Sequence, residues 1–422
     1  MAEAVATPGE VMLDASGVPL KLALARAERA KRIRAFMLAA PLLAFIAIAF
    51  VFPIMQMLFR SVDNSVISDN IPNFAREVAK WDGEGLPDEE VFTILADDLR
   101  QAFKDKNHGK VATRLNYDIA GARSMITGTA RKLKKKTEGP YRDWFIEANE
   151  LWGEHSTWIV LQKASESLTA GFYLNSLDMR YDENSGDIVM QPEDRQIYLT
   201  LFLRTLWVSL GITAVCIFLA YPISFLMATL PLKTSNLLMI LVLLPFWTSL
   251  LVRTTSWISL LQTEGTINDV MVFLGLIDDE SRIQMIYNMT GTFVAMTHIL
   301  LPFMVLPLFS VMKTIPTSYM RAARSLGANP VYAFWKIYMP LTVTGIGAGS
   351  ILVFILSVGY YITPALVGGR TGALISNFIA FHMKSSLNWG LAAALGGVLL
   401  IGVLVLYAFY NRVFGIDKLK MG

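Results

Sequence analysis

Long apolar runs separated by short polar breaks make up most of this 422-residue chain. A helix that crosses a bilayer needs about 20 predominantly apolar residues. Six runs reach that length: residues 35–59, 205–230, 234–252, 283–312, 341–367 and 389–410. The third is expected to continue past Arg253 to Leu261, and the fourth contains His298. Apart from those two residues the runs hold no acidic or basic side chain, so the pattern predicts an all-α integral membrane protein with six transmembrane helices. The first run is longer than the apolar core of a cleaved signal peptide and is read as a retained span.

Residues 60–204 break this rhythm. They are too polar to cross a membrane and too long for a simple connection, and their periodicity is helical. Pro87 followed by Asp88, Glu89 and Glu90 resembles a helix start, after which Val91, Ile94, Leu95 and Leu99 recur at helical spacing. A second helix is predicted over 111–136, bent near Gly121 and Gly128. A third segment opens at Pro140, with Trp144, Phe145, Leu151 and Trp152 as a small core. The basic run 131–136 reads as a solvated helix end or a binding patch. The acidic turn 181–187 lacks the spacing of an EF-hand.

Lys and Arg in the short flanks set orientation. They cluster at 21–34, at Lys233, over 313–336 and over 412–420, whereas the opposite flanks hold only Arg253, Arg282, Arg370 and Lys384. The N-terminal segment 1–34 and the tail 413–422 are therefore expected in the cytoplasm, and the insertion 60–204 outside. Basic residues beside a span meet anionic lipid, which makes lipid the expected partner of the N-terminal cluster and nucleic acid not one.

Composition agrees. The chain is 54% hydrophobic and 17% charged, with mean hydropathy +0.46 and net charge +3, where soluble proteins average about 25% charged. The single cysteine, Cys216, excludes a disulfide framework and a cysteine metal site and is expected to be a small buried hydrophobe. No P-loop occurs; the glycine-rich stretch 368–372 lacks the lysine. No metal or cofactor is expected on this chain, and any ATP must be held by another.

The polar break between the fourth and fifth runs carries the most information. In Tyr319-Met-Arg-Ala-Ala-Arg-Ser-Leu-Gly-Ala-Asn-Pro330, followed by Ile337-Tyr-Met-Pro340, Pro316 offers a helix start. Ala322, Ala323, Leu326 and Ala328 favour a compact helix, and Gly327 a helix end. A second short helix is predicted over 331–338, with Pro340 restarting the membrane. This order resembles the "EAA" loop (residues 313–340 here) of permease subunits of bacterial ABC importers. The segments 250–257, 266–268, 274–277 and 359–369 look like the spermidine/putrescine-type permeases, and the resemblance covers most of 34–412 outside the insertion. It implies the type I importer permease fold in the inner membrane, with no enzyme activity of its own. It also implies a second permease subunit, an ATPase dimer binding ATP and Mg, and a periplasmic solute-binding protein. One departure is plain: the family's glutamate is Arg321 here, so an acidic group on the ATPase, or the usual glutamate on the other permease, is expected to compensate.

Polar groups inside spans face a bundle interior by default. Trp247, Thr248, Arg253 and Trp257 mark the third run, His298 the fourth, and Tyr360, Tyr361 and Thr363 the fifth as candidates for a solute pathway. Each has a plainer reading. Arg253 can snorkel to the interface, His298 can bond a neighbouring helix carbonyl, and the aromatics can form an interfacial belt or faces for a cation. Gly345, Gly347 and Gly349 are expected to serve close helix packing. A polyamine would want carboxylates, yet only Glu264 and Asp269 stand near the outer end of the third run, so an organic anion steered by Arg253 stays open. The alternative class, an ATP-independent transporter or channel, would show inverted repeats or a carboxylate relay. An enzyme built on His108 and His155 would need a catalytic constellation that the insertion lacks.

Overall fold

The computed structural model describes residues 20–182 and 187–414. The first part of the basic N-terminal segment, the middle of the acidic turn at 181–187 and the tail with Lys418 and Lys420 lie outside the described residues. The described chain is helical, with one exception: a two-stranded antiparallel ribbon pairing Met179–Tyr181 with Ile188–Met190.

The chain divides into two units, 1–59 and 60–422. The first span is a helix over Lys31–Arg60 with mean hydropathy 2.6. It passes through a π-helical turn at Ala47–Val51, just ahead of Pro53. Proline lacks the N–H that an α-turn requires, and widening the preceding turn to i→i+5 accommodates it. The same device recurs in the second unit, where a π-turn at Phe334–Tyr338 precedes Pro340.

In the second unit, the stretch 60–204 is mostly helical and buries a hydrophobic cluster of its own. Burial of Phe74, Phe92, Phe145, Trp152 and Trp158 is complete. Phe92 meets Trp158 at 4.6 Å between ring centroids, and Phe145 meets Trp152 at 5.0 Å. The indole tips are satisfied: Trp152 Nε1 donates to Thr129 Oγ1 at 2.9 Å and Trp158 Nε1 to the Trp152 carbonyl at 2.9 Å. Each large side chain so buried contributes roughly 1.5–3 kcal/mol. The helix predicted from 87 runs over Glu89–Lys104. The predicted 111–136 helix is instead two, His108–Leu115 and Ala122–Lys132. Gly121 breaks it at φ +86°, whereas Gly128 sits inside an unbroken helix and makes no bend. Trp144 and Leu151 are only partly buried, at the edge of the core. Two backbone bonds tie positions 62–64 to 167–169: Asn64 N–H donates to the Ser167 carbonyl and Thr169 N–H to the Val62 carbonyl, both at 2.9 Å.

The span helices cover Tyr198–Thr229, Met289–Thr314, Pro330–Gly359 and Trp389–Arg412, plus one broken pair, Leu232–Trp247 and Leu250–Phe273, bent by 98°. The break falls at 245–249, where Pro245 leads one to expect it, and the second half runs on past the expected Leu261 to Phe273. Pro245 lies in a tight turn at Leu244–Trp247, and Ser249 then starts a new helix by accepting the Val252 N–H at 3.2 Å. The second span begins at Tyr198 rather than Thr205 and so takes in Arg204, which donates to the Arg370 and Ala373 carbonyls. The fourth begins at Met289 rather than Ile283, capped by Asn288, whose Oδ1 accepts from Gly291 N–H at 3.1 Å. The fifth starts eleven residues ahead of its expected Leu341, at Pro330. It stops at Gly359, and Ile362–Val367 is a separate short helix.

The second, fourth and fifth spans form the centre of this unit. A Cβ on Gly211 would lie 2.7 Å from the Phe293 ring, one on Gly345 3.1 Å from Leu308 Cα, and one on Gly349 2.6 Å from Met304 Sδ. Gly345 and Gly349 thus act as close-packing residues, as expected. Cys216 is fully buried, its thiol pointing at the Thr297 carbonyl.

Candidate functional site

At the end where the second span terminates, the polar break folds into an elbow. A helix over Thr317–Ser325 ends in a Schellman motif: Ala328 N–H donates to the Ala323 carbonyl at 3.1 Å and Gly327 N–H to the Arg324 carbonyl at 3.0 Å. Gly327 takes φ +85°, which a side chain would oppose. Asn329 then caps the next helix, its Oδ1 accepting from Tyr332 N–H at 2.7 Å, with Pro330 in the first turn. So Gly327–Pro330 is a stop signal followed directly by a start signal. The helix predicted at 331–338 exists, but as the first turns of the fifth span and not as a separate element. Pro340 does not restart the chain, because the π-turn lets the helix run through it.

Phe334 anchors the elbow. Its ring lies 5.9 Å from Tyr221 and 5.6 Å from Phe225 on the second span, edge-on to both, and stacks on Tyr338 at 5.8 Å. Ala323 is buried against this base, while Ala322 is exposed. The outer surface is apolar: Leu326 is 89% exposed, and Val331, Tyr332 and Trp335 are exposed beside it. Arg321 is exposed too, and its guanidinium donates to Thr317 Oγ1 at 3.3 Å.

A second group of predicted residues meets inside the spans. Trp257 Nε1 donates to His298 Nδ1 at 3.1 Å, with the rings edge-on at 5.3 Å. The expected carbonyl partner of His298 is therefore replaced by an indole. An indole only donates, so Nδ1 is unprotonated and the neutral ring carries its proton on Nε2. Arg253 is near enough to interact electrostatically with both His298 and Tyr360. It is half-buried, and its Nε is enclosed without a hydrogen-bond acceptor. Trp247, Thr248 and Tyr361 stand apart from this group, whereas Thr363 lies beside Tyr360. Trp247 and Thr248 lie on the break in the third span, where Trp247 is exposed and Thr248 Oγ1 donates to the Pro245 carbonyl at 2.9 Å. Tyr361 carries the Lys384 ammonium 5.4 Å above its ring, and Thr363 is fully buried.

The opposite end holds residues that the sequence reading missed. Asp178, in the insertion, accepts from the backbone N–H groups of Ile197, Tyr198 and Leu199 at 3.1, 3.0 and 2.8 Å. A buried carboxylate 20 residues upstream thus caps the second span and complements its dipole. Tyr198 Oη meets His382 Nε2 at 2.9 Å, His382 Nδ1 meets Ser386 Oγ at 2.8 Å, and Tyr117 Oη donates to the Ser386 carbonyl at 3.2 Å. This chain of bonds joins insertion, second span and the helix Ile375–Lys384. Burial holds the His382 pKa below its ordinary value and raises that of Tyr117, partly offset by Arg114 and Arg123. Arg282 gathers the acids of this end, bonding Asp269 and Asp279 at 2.8 Å each, with Glu264 at 4.0 Å. Apart from the local pairs His382–Ser386 and Arg282–Asp279, these pairings join positions well separated in the chain and leave no signal in local sequence.

Multiple membrane-length helices around an inter-span elbow define a multi-pass membrane transport subunit. Residues 208–414 match the family described as the binding-protein-dependent transport system inner membrane component. The spermidine/putrescine transport system permease protein PotB of Escherichia coli K12 is 34% identical over 216 residues, 51% of this chain and 78% of that protein. PotB of Haemophilus influenzae is 31% identical over 220 residues, covering 51% and 76%. The inner membrane ABC transporter permease protein YdcU of E. coli K12 is 32% identical over 232 residues, covering 52% and 73%. The chain belongs to this family of ABC importer permeases, within the spermidine/putrescine-type subfamily.

Proposed function

We propose that the chain is one of two permease subunits of an ATP-driven importer, carrying a small polar organic solute, polyamine-like or related, from a periplasmic binding protein. ATP and Mg sit on an ATPase dimer that grips the elbow at 313–340. Both termini are cytoplasmic, and the insertion at 60–204 caps the outer mouth. The exposed apolar tip of the elbow carries this reading. Leu326, Val331, Tyr332 and Trp335 stand out together on a stiff base of packed aromatic rings. Such a patch fits a partner's cleft better than water. The continuous helix Pro330–Gly359 then turns a push on the elbow into a tilt of the fifth span, the coupling that a two-state transporter needs.

Arg321, exposed beside the tip, meets an acidic group of the ATPase. The test is co-purification. Arg321→Glu is expected to lose the native ATPase and to regain it when the facing acid is changed to lysine. An ATPase that never co-purifies with the unaltered chain would overturn the proposal.

A further inference from the structure

Arg60 closes the helix of the first span and Trp389 opens that of the sixth, so both stand where hydrocarbon gives way to headgroups. Their side chains meet: the Arg60 guanidinium lies 5.6 Å from the centre of the Trp389 ring. Beside them, between the 60–204 stretch and the start of the sixth span, is a cavity of about 550 Å³, within the size range of small-molecule sites. Its wall carries charge of both signs, with Arg60 and Lys110 as cations and Asp63 and Asp69 as acids. Arg114, on the same wall, is already bonded to Asn64 and Asp118, and Asp63 accepts from Ser65 N–H. Among the described residues Arg60 and Lys110 have no acidic partner and Asp69 no basic one. Three turns from Trp389, on the same face of the sixth span, Leu400 is exposed, with Leu404 one turn further. An apolar stripe therefore leads from the cavity into the hydrocarbon layer.

We propose that this cavity holds the headgroup of a phospholipid bearing a primary amine, of the phosphatidylethanolamine type. The phosphodiester accepts charge-assisted bonds from Arg60 and Lys110, and the ammonium donates to Asp69. The acyl chains lie along Leu400 and Leu404, and Trp389 flanks the glycerol at the depth where tryptophan concentrates. A purely anionic lipid satisfies the two cations but is repelled by Asp69. A choline headgroup brings no N–H for that carboxylate to accept. The inference goes beyond solute transport, because it places a specific lipid between the 60–204 stretch and the sixth span.

The test is titration of the purified permease complex with phosphatidylethanolamine, phosphatidylcholine and phosphatidylglycerol of matched chains, read by native mass spectrometry. Phosphatidylethanolamine is expected to bind tightest. Arg60→Gln and Lys110→Gln should each weaken it about 10- to 100-fold, the loss of one charge-assisted bond. Both side chains are exposed, so the fold survives their replacement. Asp69→Asn should abolish the preference for phosphatidylethanolamine over phosphatidylglycerol while leaving phosphatidylglycerol bound no more weakly, a change of selectivity that misfolding does not produce. Phosphatidylglycerol binding the unaltered chain as tightly as phosphatidylethanolamine overturns the inference, and so does unchanged affinity in the Arg60→Gln and Lys110→Gln variants. Displacement of the lipid by millimolar inorganic phosphate or phosphoethanolamine overturns it too, since the cavity would then serve a soluble ligand.

Discussion

Leu326 offers the sharpest test of the elbow as a docking element. Its side chain is 89% exposed, so truncation to alanine removes almost no contact within this chain. Stability of the isolated subunit should therefore move by no more than about 0.5 kcal/mol, as for other surface changes. In a partner's cleft the same side chain would be buried, a gain of roughly 1.5–3 kcal/mol. Alanine keeps only the Cβ, so about 2 kcal/mol of docking energy should vanish, a weakening of roughly 30-fold in Kd. Leu326→Asp should weaken binding further, because it carries an unpaired charge into the cleft. The assay is titration of purified ATPase onto the permease pair in nanodiscs, with melting of the same samples as the folding control. A Kd within about twofold of the parent for both variants would refute the argument. A large loss of melting temperature would also refute it, since it would mean that Leu326 belongs to the fold.

Two further outcomes follow from the insertion end. Asp178→Ala should strip the cap from the second span and cost about 2–3 kcal/mol, from lost N–H acceptance and lost dipole compensation. Faster hydrogen exchange confined to the 197–201 amides would report it, and unchanged exchange there would count against the cap. His382 is held neutral by burial, with its pKa below 6.5. The unfolded chain therefore takes up the proton first as pH falls, so the junction keeps its full stability above about pH 6.5 and loses it below. Protection factors around Ser386 and Tyr117, taken against the intrinsic exchange rate at each pH, should fall at pH 5.5 relative to 7.5, and His382→Gln should flatten that dependence.

Much of the architecture was legible in sequence, for local physical reasons. Spans announce themselves because lipid demands about 20 apolar residues in a row. The elbow was legible because Gly327, Asn329 and Pro330 encode helix stop and start through their own backbone chemistry. Boundaries proved less readable where a polar residue enters a helix on the strength of remote partners. Arg204 could not be assigned to the second span until the Arg370 and Ala373 carbonyls were seen beside it. The break at Pro245 was visible as a proline, but its 98° consequence was not.

The sequence by itself determined that this chain lives in a membrane, how many long apolar segments it has and which polar loop interrupts them, because length and hydropathy are properties of contiguous residues. Only the tertiary structure decided that Trp257 fixes the tautomer of His298, that Asp178 caps a helix 20 residues away and that Phe334 locks the elbow onto the second span. Those contacts join distant positions, and their energies depend on angstrom-scale distances that no linear pattern records.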